Sequence, residues 1–131
     1  MEPVVTRHRG DLLFATQMGR HTLLADVPAK VGGQDRGPTG LQLLLGALSS
    51  CIAAMVVFAG LRAGIDTTDL SVEVTGERVT DPIRLTDMRV TVRVPHCADA
   101  AQREALRQAA EQCPVHETMM SFDRWTLTVT D

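Results

Sequence analysis

At 131 residues the chain has room for one domain, and a composition of 44% hydrophobic and 22% charged residues is that of a globular protein. A net charge of −3, a single lysine (Lys30) and no basic run argue against nucleic acid and against a polybasic membrane contact. Three Phe, one Trp and no Tyr leave little to stack on bases or sugars.

The opening "MEPVVTRHRGDLLF" has no apolar stretch behind a basic start, so no secretory leader is read and the cytoplasm is the expected compartment. Three cysteines in a reducing compartment do not make a disulfide framework. "DLLFAT" (Asp11–Thr16) and "HTLLAD" (His21–Asp26) read as short strands about a turn at Gly19. Four glycines and two prolines between Val27 and Gly40 make a loop. Thr39 then fits an N-cap, and an apolar helix follows to Ile65, with Gly64 as its stop.

Beyond the helix, Leu70, Val72 and Val74 alternate with polar residues, as do Met88, Val90, Val92 and Val94. Ile83 and Leu85 fall out of phase with the second set, which predicts a bulge near Thr86–Asp87 in an antiparallel hairpin. Asp99 and Gln102 form a capping pair for a second helix, whose inward face is read as Ala101, Ala105, Ala109 and Cys113. Pro114 ends that helix and suits the first position of a short one through "VHETMM". "RWTLTVT" (Arg124–Thr130) reads as a closing strand. The expectation is a single α+β domain over residues 1–131, with antiparallel sheets around a long apolar central helix.

Residues Leu41 to Leu61 carry no charge and are long enough to cross a bilayer. Polar Gln42, Ser49 and Ser50 within the segment, and the lack of aromatic belts at its ends, favour a soluble core helix instead. A helix apolar on every side must be covered on every side, and one small sheet with an alanine-rich helix cannot do that. A second copy of the chain is the expected cover, giving an intertwined homodimer with the helices near its axis.

Cys51 lies in that helix, where a cysteine is by default a small hydrophobe. Two neighbouring hydroxyls in "SSC" and the segment "QCPVHETM" point further. Cys113 precedes a helix start, where N–H groups commonly lower a thiol pKa, and His116 stands in C-x-x-H spacing to it. Equally, His116 and Glu117 can solvate an outer face. A zinc site from His96, Cys97, Cys113 and His116 is disfavoured, because adjacent residues in extended chain point to opposite faces. No metal or cofactor is expected, and Cys97 is read as an incidental thiol.

With these segments in view, the chain resembles the OsmC/Ohr family. "VGGQDRGPTGLQLLLGALSSCIAAMV" is similar to its central-helix signature and "EQCPVHETM" to its second-cysteine segment, 62 residues apart from thiol to thiol. The resemblance implies a swapped α+β homodimer that reduces organic and fatty-acid hydroperoxides. It would make Cys51 the peroxidatic thiol and Cys113 the resolving thiol, with a small dithiol or lipoyl-bearing protein as reductant. The family's peroxidase branch stabilises its thiolate with an N-terminal arginine, for which Arg9 is the first candidate and Arg7 and Arg20 the others. That branch pairs the arginine with a glutamate early in the central helix. Here Leu41 and Gln42 stand in its place, and Gln42 can hydrogen-bond an arginine without pairing its charge. The competing expectations are a non-enzymatic dimer that binds a small hydrophobic or thiol ligand, and a structural dimer with idle thiols.

Overall fold

The computed structural model describes residues 1–131, which divide into two compact units, Met1–Leu45 and Gly46–Asp131. In the first, β1 (Val4–His8), β2 (Phe14–Met18) and β3 (His21–Ala25) form an antiparallel sheet in the order β1-β2-β3. Gly19 and Arg20 make the two-residue turn between paired Met18 and His21, with Gly19 at φ +56. A glycine with positive φ at the first turn position suits the right-handed twist of a hairpin. Asp11, at φ 48, turns the chain between β1 and β2, where the Leu13 N–H donates to the Gly10 carbonyl at 2.9 Å.

The sequence pattern hides β1. All five of its residues are exposed, so apolar alternation gives no sign of it, and the strand expected at Asp11 begins only at Phe14.

The loop after β3 is organised by Asp26, the one charged residue whose side chain is buried. Its carboxylate accepts from the N–H groups of Val27 (2.8 Å), Gln34 (3.3 Å) and Arg36 (3.2 Å), and from the Arg36 side chain at 2.6 Å. Burying a charge is costly unless it is paired and hydrogen-bonded, and here it is both. The wrap is tight enough to need glycine: a Cβ on Gly33 would lie 1.9 Å from the Val27 carbonyl oxygen.

Helix α1 (Gly40–Ala63) starts with a reciprocal cap. The Gln42 N–H donates to Thr39 Oγ1 at 3.3 Å, and the Thr39 N–H donates to Gln42 Oε1 at 2.8 Å. It stops at Gly64 (φ +68), where the Ile65 N–H reaches the Gly60 carbonyl at 2.9 Å, as in a Schellman ending. With 24 residues and a mean hydropathy of 2.2 it is long and apolar enough to cross a membrane. Its stripe Leu48, Ile52, Val56 and Gly60 is nevertheless buried in the protein, which supports the core-helix reading. On the other side Phe58 and Leu61 are 59% and 75% exposed.

The second unit's core joins that stripe to Ile65, Cys97, Leu106 and Cys113. Strands β4 (Ser71–Thr80) and β5 (Ile83–Arg93) pair as an antiparallel hairpin, and Val72, Val74, Met88 and Val92 pack against the core. The register moves from Thr75↔Arg89 to Glu77↔Thr86, and Asp87 sits at φ 47. This is the bulge the phase break predicts.

Helix α2 (Ala100–Glu111) begins where the Gln102 N–H donates to the Asp99 carboxylate at 2.8 Å. The Gln102 amide oxygen in turn accepts from the Ala98 N–H at 3.0 Å. Asp99→Ala should cost about 1 kcal/mol, measured as a lower urea midpoint at unchanged m-value. The buried side of α2 differs from the alanine face expected of it. Ala101 and Ala105 are exposed, and the inward line runs through Gln102, Leu106, Ala110 and Cys113. Large Leu106 has more area to remove from water than the alanines, so it sets the rotation.

Helix α3 (Pro114–Ser121) follows, and residues 122–131 have no regular structure. The strand expected at Arg124–Thr130 does not form: Trp125, Leu127 and Val129 are 73%, 71% and 88% exposed. The alternation is present, but a strand also needs an edge to hydrogen-bond with.

Candidate functional site

Cys113 is fixed by what its neighbours do to the backbone. Its N–H donates to the Ala110 carbonyl at 3.3 Å as α2 ends, and Pro114 holds it extended, at φ −64 and ψ 120. The chain then enters α3 with Pro114 in the first turn, and the Glu117 N–H closes that turn on the Cys113 carbonyl at 3.0 Å. The Cys113 side chain is fully buried and makes no capping bond to α3. Cys51, midway along α1, is partly buried and packs against the same core, as do Val115 and Met119.

The two thiols meet at one core, Cys113 within it and Cys51 packed against it. Burial is the largest influence on Cys51 and pushes its pKa up from the ordinary thiol value. The main-chain N–H of Val115 donates toward its sulfur and pulls the other way, while the Cys113 thiol, by hydrogen bond and by charge, pushes it up again. No side-chain pattern marks a backbone donor, and Pro114 was its only signal.

An apolar cleft of about 470 Å³ lies beside these residues in the second unit. Leu48, Ile52, Val92 and Leu106 line it, with Arg103 and His116 among its polar groups. His116 is exposed, its Nδ1 3.8 Å from Glu117 Oε1. Arg107, also on the cleft, is held by Glu104 at 2.8 Å and by Glu111. A cavity of this size and lining suits a small amphiphile.

Each remaining candidate has its own local setting. Gln42 spends its amide oxygen on the α1 cap. Arg9 lies in the turn after β1, where its N–H donates to the Leu13 carbonyl at 2.9 Å. Arg7 stands on β1 opposite Ala15, and Arg20 in the β2–β3 turn. Cys97 is buried before α2, its sulfur 3.8 Å from both the Asp99 carbonyl and Gln102 Oε1. His96 pairs with Asp69 at 2.9 Å. The His96–Cys97 and Cys113–His116 pairs flank opposite ends of the 12-residue α2, about 18 Å apart, so they do not converge on one metal ion.

Residues 32–127 match the family described as OsmC-like protein. A structure from Psychrobacter arcticus superposes with a TM-score of 0.81 at 21% identity, covering 90% of this chain and 88% of that one. An OsmC-like protein from Mycoplasma pneumoniae gives a TM-score of 0.77 at 20% identity, over 91% and 86% of the two chains. An organic hydroperoxide resistance protein from Elizabethkingia anophelis, with crystallant-derived thiocyanate bound, gives 0.65 at 16% identity, over 92% and 91%. No curated protein matches the sequence.

Proposed function

Because the chain belongs to the OsmC-like protein family, we propose that it is a thiol-dependent peroxidase that reduces organic hydroperoxides through Cys51 and Cys113. The observation that carries this reading is that both thiols meet at one core, Cys113 within it and Cys51 packed against it. The Cys51 thiolate attacks the terminal peroxide oxygen; the O–O bond breaks and an alkoxide leaves, taking a proton to become an alcohol. The resulting sulfenic acid condenses with the Cys113 thiol, losing water and forming a disulfide. A dithiol, free or carried on a lipoyl protein, then supplies two electrons and two protons to restore both thiols. Cytoplasmic peroxide defence is the corresponding role. The test is consumption of cumene hydroperoxide with dihydrolipoamide: wild type turns over, whereas folded Cys51→Ser loses at least about 10³-fold in kcat/KM. Equal inactivity of the two proteins would refute the enzyme.

The working form is a homodimer. The exposed apolar side of α1, with Phe58 and Leu61, is what a second copy would cover. Light scattering at micromolar concentration should give twice the chain mass for wild type and the single-chain mass for Phe58→Lys.

The apolar cleft favours a second reading, a binding protein for a small amphiphile. It predicts a ligand-dependent rise in Tm that survives Cys51→Ser, with no peroxide turnover.

A further inference from the structure

The apolar cleft has a charged edge made by one row of α2. Arg103, Arg107 and Glu111 line it, and residues four apart stand one above another on a helix face. Arg107 is already engaged: its guanidinium meets Glu104 at 2.8 Å and also Glu111. His116, the other cation-forming group on the cleft, stands 3.8 Å from Glu117. Arg103 is thus the one charged group of the lining with no ion-pair partner. Its own helix does not call for a cation there, because a positive charge in the first turn opposes the helix dipole. Its aliphatic stem is next to Leu106 on the helix face, so the guanidinium stands at the edge of an apolar wall. That wall comes from three elements, Ile52 of α1, Val92 of β5 and Leu106 of α2, around a space of about 470 Å³. The lining follows α2 from Arg103 to Glu111, about 12 Å at 1.5 Å per residue.

Resting on the reading of the cleft as an amphiphile site, we propose that it binds an aliphatic carboxylate, with the head on the Arg103 guanidinium and the tail along Leu106, Ala110 and Ile52. A guanidinium takes a carboxylate by two parallel N–H···O bonds, which fixes the head, while removal from water holds the tail. An alcohol of equal length keeps the tail's contribution and loses that of the charged head. The face of α1 that bears Leu61 lies about half a turn round the helix from Ile52, so a second copy seated there stands away from the cleft.

Isothermal titration calorimetry of the full chain with octanoate, decanoate and decanol, each below its micellar range, tests this. Decanoate should bind about tenfold tighter than decanol, as hydrogen bonds to a charged group allow. It should also bind tighter than octanoate, by up to about fourfold for each added methylene. Arg103 is exposed, so Arg103→Gln should fold as wild type does. That variant should weaken decanoate about tenfold and leave decanol unchanged. Arg103→Lys should recover part of the loss, since it restores the charge without the fork. Arg78→Gln removes an exposed arginine of β4 that is not on the cleft, and it should bind decanoate as wild type does. Equal affinity for decanoate and decanol would overturn the carboxylate site while leaving the cleft a site for amphiphiles. So would an Arg103→Gln protein that binds decanoate no more weakly than Arg78→Gln. Binding of neither compound by wild type would overturn both. Peroxide turnover enters none of these measurements, so an inactive enzyme leaves them unchanged.

Discussion

Cys113→Ser, given one equivalent of organic hydroperoxide per chain without added thiol, should consume it and hold Cys51 as a sulfenic acid. Dimedone should label that species on the peptide Gly37–Arg62, and wild type should instead show a Cys51–Cys113 disulfide with little label. Cys51→Ser should do neither. These differences are expected if Cys113, at the same core as Cys51, serves as its resolving thiol. Capture of the sulfenic acid by Cys113 shields it from further oxidation. Above one equivalent of peroxide, the Cys113→Ser protein should therefore advance to sulfinic acid. Dimedone labelling of wild type to the level of Cys113→Ser would exclude the two-cysteine cycle. Only the thiolate attacks, and burial keeps Cys51 above the ordinary thiol range. The rate of peroxide consumption should thus rise about tenfold per pH unit from pH 6 to 8. A bell-shaped profile peaking below pH 7 would contradict that.

Asp26→Asn should lower Tm at pH 7 by about 5 °C or more and flatten the acid limb of the stability curve. The Arg36 guanidinium, followed by the N–H groups of Val27, Arg36 and Gln34, holds the Asp26 carboxyl down from 3.8 to about 2 against the opposing effect of burial. A carboxylate whose folded pKa is lowered contributes stability above its unfolded pKa and loses it as pH falls through the folded one. In wild type this contribution is full above about pH 4 and fades towards pH 2. The Asn variant lacks a charge to protonate and also leaves Arg36 with only Asp11, at 3.5 Å, as a carboxylate partner. Gly33→Ala should destabilise the same loop for a different reason, since its methyl would overlap backbone 1.9 Å away and no side-chain rotation can clear that. Thermal melts between pH 2 and 8 test both substitutions; coincident curves for wild type and Asp26→Asn would remove Asp26 from its organising role.

Much of the framework could be read from residues whose local chemistry is decisive. Thr39, Asp99 with Gln102, Gly64 and Pro114 each dictate a helix boundary through their own hydrogen bonds or ring, and each acts where the sequence places it. The bulge at Asp87 was legible because a change of phase in a period-two pattern has few other causes. What escaped depends on distant partners. β1 is a strand because β2 offers an edge, and its own five exposed residues give no sign of it. The closing segment shows the reverse case, a strand pattern with no edge in this chain. Asp26 looked like a strand end, since carboxylates are rarely buried and the groups that allow it come from eight to ten residues further on. At the thiols, sequence singles out two cysteines 62 residues apart, and only the fold shows that they meet at one core.

The chain between Asp99 and Pro114 acts as a ruler. Its lower mark is a side-chain cap and its upper mark a proline, and neither can slide by one residue to absorb a change in length. Each residue of helix turns the chain by about 100° and advances it about 1.5 Å. Adding or removing a single residue within α2 would therefore carry Cys113 off the Leu106–Ala110 line and out of the core. Drift in amino-acid identity along the outer face of α2 costs the site little, but drift in its length costs the site everything. Homologues that keep a working pair of thiols should hold this interval constant while its surface residues vary freely.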